Sequence, residues 1–506
     1  MRRPSLAAAL ASGALALLLA ASPVVAAAPA SPATGTWSAI GKSLAPAFIV
    51  GGLTYVWGSK VGPDGKLYAY GGFLNAGGDE TADFLAVYDP ATGAWTGLGS
   101  DGAGNGALNG VVYSIAWYNG VLYAAGAFSG AGGVTGADHV AAWNGTSWTR
   151  RGGSGAFNGT VYSLSVGAGV LFAGGTFTNA GGAAAADYAA WFDGYAWHGL
   201  AANDSDPGVL TGQVVSTQAL ADGRLYVAGS FLNAGPSGKF DLVCWYDPAS
   251  ESWNPVGGSA APDGAFTAGG LYSVLVVGSR VYVGGDFVNA GGNAKADRVA
   301  MWNGTAWTNL GSDPSGTNGA LDTAVFSLTA YGSNVIATGS YANSALAGTK
   351  YVSVWNGSKW MKLNGQALDG TAFGASVSGR TLYLAGGFNQ TVAPAVVANT
   401  GGVAAYGLPG VASAPRSLAA TAGTKRVALK WAAPATTNGS GAIRDYVVQY
   451  RKSGTTTWKT FADGVKSTTG AVVTGLASGT GYQFRVAAKT DWGIGASSAI
   501  VLRKAK

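Results

Sequence analysis

Along the first 410 residues, apolar side chains alternate with small or polar ones in short runs, and each run stops at Gly, Asn or Asp. A period of two bounded by turn residues predicts strands with one face buried. The runs also repeat. The stretch 284–312, GGDFVNAGGNAKADRVAMWNGTAWTNLGS, has variants from one end of this region to the other. An aromatic that follows a glycine marks each copy: Phe73, Phe128, Phe177, Phe231, Phe287, Tyr341 and Phe388, at spacings of 47 to 56 residues.

A second aromatic closes the next strand of every unit, at Tyr88, Trp143, Trp191, Trp245, Trp302, Trp355 and Tyr406. A third precedes a glycine turn at Trp95, Trp148, Trp197, Trp253, Trp307 and Trp360, and the last unit lacks one. The missing member stands at the other end, where GTWSAIG around Trp37 matches GAWTGLG around Trp95. An N-terminal strand that completes the last unit removes two exposed sheet edges, which makes sense in a closed ring. Four strands per unit at this period indicate a β-propeller of seven blades. Asn144-Gly145, Asn303-Gly304 and Asn356-Gly357 between the last two strands predict type I′ hairpins.

Blades that radiate from an axis need small residues inside and large ones outside. Ser114, Ser163, Ser216, Ser273 and Ser327 on the first strands and the Trp series on the later ones fit that wedge. A glycine two residues before each anchor (Gly71, Gly126, Gly175, Gly229, Gly285, Gly339 and Gly386) implies a bulge or a close backbone approach, read as blade packing. Asp83, Asp138, Asp187, Asp241 and Asp297 hold one repeated position before the third strand, so turn hydrogen bonding is the expected role rather than catalysis. Asn75, Asn179, Asn233 and Asn289 open the NAG loops and supply turn conformations, with calcium or sugar binding as the alternative.

The connection into each first strand repeats as GALNG, GAFNG, GVLTG, GAFTA, GALDT and QALDG. Its polar position falls at Asn109, Asn158, Thr211, Thr267, Asp322 and Asp369. In a propeller these six residues form a polar ring near the channel mouth, either a structural turn or the ligand-binding face.

Composition adds compartment and charge. The chain has 506 residues, 48% of them apolar, with 83 Gly and only 11% charged, enough for a large turn-rich core and at least two domains. Arg2 and Arg3, the apolar run from Leu6 to Ala21 and the small residues of 25–30 read as a secretory signal peptide over 1–30. No second apolar span follows, so a soluble, extracellular and monomeric protein is expected. Cys244 is a lone cysteine and is read as a small buried hydrophobe. Residues 31–411 carry 14 basic and 21 acidic side chains, whereas the chain from Ala412 onward carries 14 against 3. The basic tail is a solvated surface, or it contacts an anionic cell-surface polymer or the acidic neighbour. An exported, acidic repeat region argues against nucleic acid as a partner.

Two resemblances follow. LYAYGGF followed by LAVYDPATGAWTGLG resembles the kelch-type seven-bladed propellers, the scaffold also used by galactose-oxidase-like enzymes. That resemblance implies a copper site of two His and two Tyr with a crosslinked Cys. Only His139 and His198 are available, in adjacent units at different strand positions, so no metal, cofactor or catalytic residue is assigned. Residues 414–503, with VALKWAAP around Trp431, IRDYVVQYR, and Leu476, Tyr482 and Phe484 in LASGTGYQFRV, resemble a fibronectin type III β-sandwich and its tyrosine corner. The expected organisation is a signal peptide over 1–30, an all-β propeller over 31–410 and a fibronectin type III domain over 411–506. The expected function is a non-enzymatic binding protein that offers a loop face to a glycan, a cell-surface polymer or another extracellular protein. The alternative is an extracellular carbohydrate-active enzyme, oxidase-like or glycoside hydrolase, or an accessory module of polysaccharide degradation.

Overall fold

The computed structural model describes residues 32–40, 55–152, 157–200, 209–232, 234, 240–257, 265–266, 269–342, 349–364, 368–391, 397–398 and 401–506. The segment assigned as a signal peptide, Asn233 and Thr267 lie outside the described residues. Among the described residues the regular structure is strand, apart from four one-turn 3-10 segments, and no helix is long and apolar enough to cross a membrane. It forms two compact units, residues 37–331 with 335–406, and residues 407–506 with short pieces at 33–36 and 332–334.

The first unit holds seven four-stranded sheets among the described residues. Six follow chain order, from the sheet that begins at Tyr55–Val61 to the one that ends at Trp360–Met361. The seventh is composite: Ala372–Ser378, Thr381–Gly386 and Val403–Gly407 take Trp37–Ala39 as their fourth strand. Trp37 lies opposite Tyr406 and Ala39 opposite Ala404. Its indole does what the outer tryptophans of three other sheets do. Trp148, Trp253 and Trp360 donate Nε1–H to carbonyls of the preceding sheet (Leu98 2.7 Å, Leu200 2.8 Å, Leu310 2.5 Å), and Trp37 donates to Asn364 at 3.1 Å.

Buried side chains collect between consecutive sheets. Tyr123 and Ala125 of the second sheet pack with Phe177 and Phe192 of the third, and Val299 of the fifth with Val335 and Tyr341 of the sixth. The first and seventh sheets share a cluster of the same kind, in which Val56, Leu67 and Phe73 meet Tyr383, Ala385 and Val403. Cys244 is wholly buried in the cluster between the third and fourth sheets, and burial pushes its thiol up.

The Asn-Gly hairpins differ from the expected turn type. Asn144 Oδ1 accepts from the N–H groups of Thr146 and Ser147, at 2.9 Å each, and the Asn144 N–H closes on the Ser147 carbonyl. That side-chain cap keeps Asn out of the left-handed region, so only Gly145 has positive φ, at 102°. The two loop residues are Gly-Thr with positive φ at the first, where type I′ needs it at both.

In the second unit, one sheet of Arg416–Gly423, Arg426–Ala432 and Gly470–Thr474 and a second built on Asp445–Lys452 and Gly481–Thr490 enclose Trp431, Tyr446, Val448, Phe484 and Val486. The Tyr482 hydroxyl accepts from the Ala477 N–H at 3.1 Å, the upstream backbone bond expected of a tyrosine corner.

Candidate functional site

A cavity of about 590 Å³ in the first unit is lined by the first strands of all seven sheets. Its shape begins with the repeated glycine. In the first sheet Val56 pairs with Gly71 and Gly58 with Tyr70, which leaves Trp57 as an extra residue; the same skip leaves Tyr113, Tyr162, Val215, Tyr272 and Phe373 unpaired in five others. A Cβ on Gly71, Gly126, Gly175, Gly229, Gly285, Gly339 or Gly386 would overlap a first-strand carbonyl oxygen of the same sheet. In these six sheets the glycine therefore serves the bulge inside the sheet, rather than packing between sheets, and the bulge swings the extra side chain into the cavity.

The result is an aromatic collar. Ring centroids run from Tyr162 to Tyr113 (5.1 Å), Tyr113 to Trp57 (5.7 Å), Trp57 to Phe373 (4.6 Å), Phe373 to Phe326 (5.5 Å) and Phe326 to Tyr272 (5.7 Å). Val215 occupies the remaining place and opens a gap between Tyr162 and Tyr272. One residue on, the small serines stitch neighbouring first strands together. Ser114, Ser163, Ser216 and Ser273 Oγ accept from the N–H groups of Leu164, Thr217, Val274 and Leu328 at 3.0 to 3.2 Å. The serines thus fix the collar, and their side-chain oxygens are already engaged.

Deeper still stand Gln218, which accepts from the Val276 N–H at 2.5 Å, and Lys60, whose Nζ donates to the Ile115 carbonyl at 2.7 Å. Among the described residues that line the cavity, Lys60 is the one charged side chain and none is acidic. Burial pulls the Lys60 ammonium down to about 8. Tyr272 is pushed up to about 12, by burial first and then by its bond to Asp286, and burial beside Tyr162 raises Tyr113. The phenols therefore stay neutral donors at ordinary pH. Chemically, the site offers flat apolar faces edged by hydroxyl groups, one amine and one amide.

The residues expected to form the polar ring lie just upstream of the collar, and the five described are exposed. Each serves the residue that follows the anchor aromatic. Asn109 Oδ1 accepts from Ser129 N–H (2.9 Å), Asn158 Oδ1 from Thr178 N–H (2.8 Å), Asp322 from Ala342 N–H (3.1 Å) and Asp369 from Asn389 N–H (2.8 Å), while Thr211 Oγ1 donates to the Leu232 carbonyl at 2.6 Å. None of them lines the cavity itself.

The repeated aspartates are turn builders. Asp83 accepts from Asn75 N–H and Gly106 N–H, at 2.8 and 3.0 Å, and Asp297 from Asn289 N–H and Gly319 N–H, at 2.8 and 3.1 Å. Asn75, Asn179 and Asn289 adopt the left-handed conformation their loops require, at φ near 54°. Asp297→Ala orphans two backbone donors under a buried carboxylate and is expected to cost about 2–3 kcal/mol, read as a lowered denaturation midpoint with ligand binding unchanged. His198 bonds to Asp193 at 2.9 Å and stacks on Trp191, while His139 Nδ1 lies 3.1 Å from the Gly126 carbonyl.

Comparison with known proteins identifies the second unit. Residues 413–503 match the family model of the fibronectin type III domain. Solved structures similar to the chain include a myokine (17% identity over 19% of this chain and 97% of that one, TM-score 0.17). The FN5 domain of Drosophila Lar is 27% identical over 19% of this chain and 97% of its own, TM-score 0.16. The FN1–FN3 domains of chicken CNTN1 are 23% identical over 19% of this chain, which spans only 33% of them, TM-score 0.18. The C-terminal unit of this chain is thus a fibronectin type III domain.

Proposed function

We propose that the seven sheets are the blades of a closed propeller, sealed by the N-terminal strand, and that this exported, monomeric, non-enzymatic protein binds carbohydrate at the aromatic collar. The collar carries the reading: six aromatic side chains line one cavity, five of them on a bulge built with a glycine of the partner strand, and flat aromatic faces edged by phenols suit the C–H faces and hydroxyls of sugar rings. Ring closure is supported by the shared core of the first and seventh sheets and by Trp37 in the role of an outer tryptophan. Export rests on the Arg2-Arg3 and Leu6–Ala21 pattern. The fibronectin type III domain serves as a basic spacer or surface contact, on which Trp458 is held between the Arg451 and Arg485 guanidinium groups.

Asn109, Asn158, Thr211, Thr267, Asp322 and Asp369 are then the rim of the same mouth, four or five residues upstream of the collar positions. Hydrolysis of a glycosidic bond commonly uses two carboxyl groups across the scissile bond. Binding is the reading taken because the lining offers aromatic faces, hydroxyl groups, one amide and one amine. A glycan array followed by calorimetry tests the reading. Trp57→Ala is expected to weaken the tightest glycan by about 2 kcal/mol, roughly thirtyfold. Paired Asp322→Ala and Asp369→Ala changes are expected to weaken it less. Full affinity in the Trp57 variant would refute the collar as the site.

A further inference from the structure

A ring of near-identical sheets gives function away where one sheet departs from the rest, and the first sheet departs at two coupled positions. Where five other first strands carry Ser114, Ser163, Ser216, Ser273 and Ser327, it carries Gly58, as the seventh carries Gly374. Opposite that place the other sheets have Ala125, Gly174, Ala228, Gly284 and Ala385, and the first has Tyr70. A Cβ at residue 58 would overlap the Tyr70 ring, so the glycine makes room for the phenol. Two residues further on, Ala116, Ser165, Gln218, Leu275, Thr329 and Ser376 are neutral, and the first sheet has Lys60. The repeat therefore does not need a cation there. Lys60 and Tyr70 both line the cavity, and their backbone positions are diagonal neighbours across one strand pair, within reach of two long side chains. An amine drawn into a cavity with no acidic lining residue is costly, and the carbonyl of Ile115 supplies a dipole where a charge would be better.

We propose that Gly58, Lys60 and Tyr70 form an anion subsite below the collar that takes the carboxylate of an acidic sugar, with Lys60 giving a charge-assisted bond and Tyr70 a second donor. This rests on the collar being the carbohydrate site. At neutral pH the amine is still mostly protonated, since burial brings it only to about 8.

Calorimetry of the full chain with matched oligosaccharide pairs, neutral hexose against its C6-carboxylate hexuronate, tests the subsite. In whichever pair binds, the hexuronate is expected to bind at least tenfold tighter. Lys60→Met should erase that preference, Lys60→Arg should keep it, and Tyr70→Phe should reduce it several-fold. Thermal melting of each variant checks the fold. Equal binding of both members, or a preference that survives Lys60→Met, overturns the subsite and leaves the collar intact. Preference for a sulfated analogue over the hexuronate overturns the assignment to carboxylate. Neutral sugars bound with full affinity by Trp57→Ala would overturn the collar reading, and the subsite with it.

Discussion

Removing residues 35–41 is expected to destabilise the first unit by 5 kcal/mol or more and to leave the seventh sheet with an open edge. The strand Trp37–Ala39 pairs with Tyr406, Ala405 and Ala404. Trp37 is nearly buried, with its ring 4.9 Å from that of Tyr406, and Ile40 joins the cluster that holds the first and last sheets together. Loss of a buried Trp alone costs about 3–5 kcal/mol, and the orphaned carbonyl of Asn364 and the lost strand pairing add to it. Trp37→Ala isolates the side-chain part and is expected to give about 3–5 kcal/mol by chemical denaturation. The longer deletion also exposes the outer edge of Val403–Gly407, which predisposes the chain to pair with a second copy. Unchanged melting of the deletion variant, with no new self-association by size-exclusion chromatography, would remove the closure argument.

The repeated glycine should be almost as sensitive. Alanine at Gly126, Gly229 or Gly285 places a methyl group against the carbonyl oxygen of Val111, Gln213 or Gly270, which is backbone locked in the sheet and cannot turn aside as a flexible side chain would. Each change is expected to cost about 3 kcal/mol or more and to disturb the neighbouring collar residue, Tyr113, Val215 or Tyr272. Gly292→Ala is the control: its φ of 76° is left-handed, but nothing lies within 4 Å of the added methyl, so about 1 kcal/mol is expected. Similar penalties at Gly229 and Gly292 would mean that close approach is not what demands the glycine.

These two predictions show where sequence reading was strong. The triple series of aromatics and the copy of GTWSAIG at the N-terminus carried strand order and strand exchange, because side chains that fill one repeated environment recur at one repeated spacing. The Asp83 and Asp297 carboxylates do serve turns, for the reason that five copies suggested. The fibronectin type III domain was legible from the runs around Trp431 and IRDYVVQYR and from Leu476, Tyr482 and Phe484.

The collar was not read, although its signal was present. Tyr113, Tyr162, Tyr272 and Phe326 stand immediately before the serines that were counted as small inner residues. In a strand of period two, neighbours point to opposite faces, so an aromatic beside an inward serine reads as outward. The bulge breaks that rule by adding one residue, and it depends on a glycine in the partner strand more than ten residues away. Lys60 escaped for a related reason: a single lysine in an alternating run reads as solvated, and only the cavity draws its amine out of solvent.

The most direct measurement of the central claim is a crystal structure of the chain with the tightest glycan from an array. The account expects a sugar ring seated among Trp57, Tyr113 and Phe373 at the cavity mouth, with its anionic substituent directed toward Lys60. A glycan bound on the outer strands or on the fibronectin type III domain, with the collar empty, would contradict it.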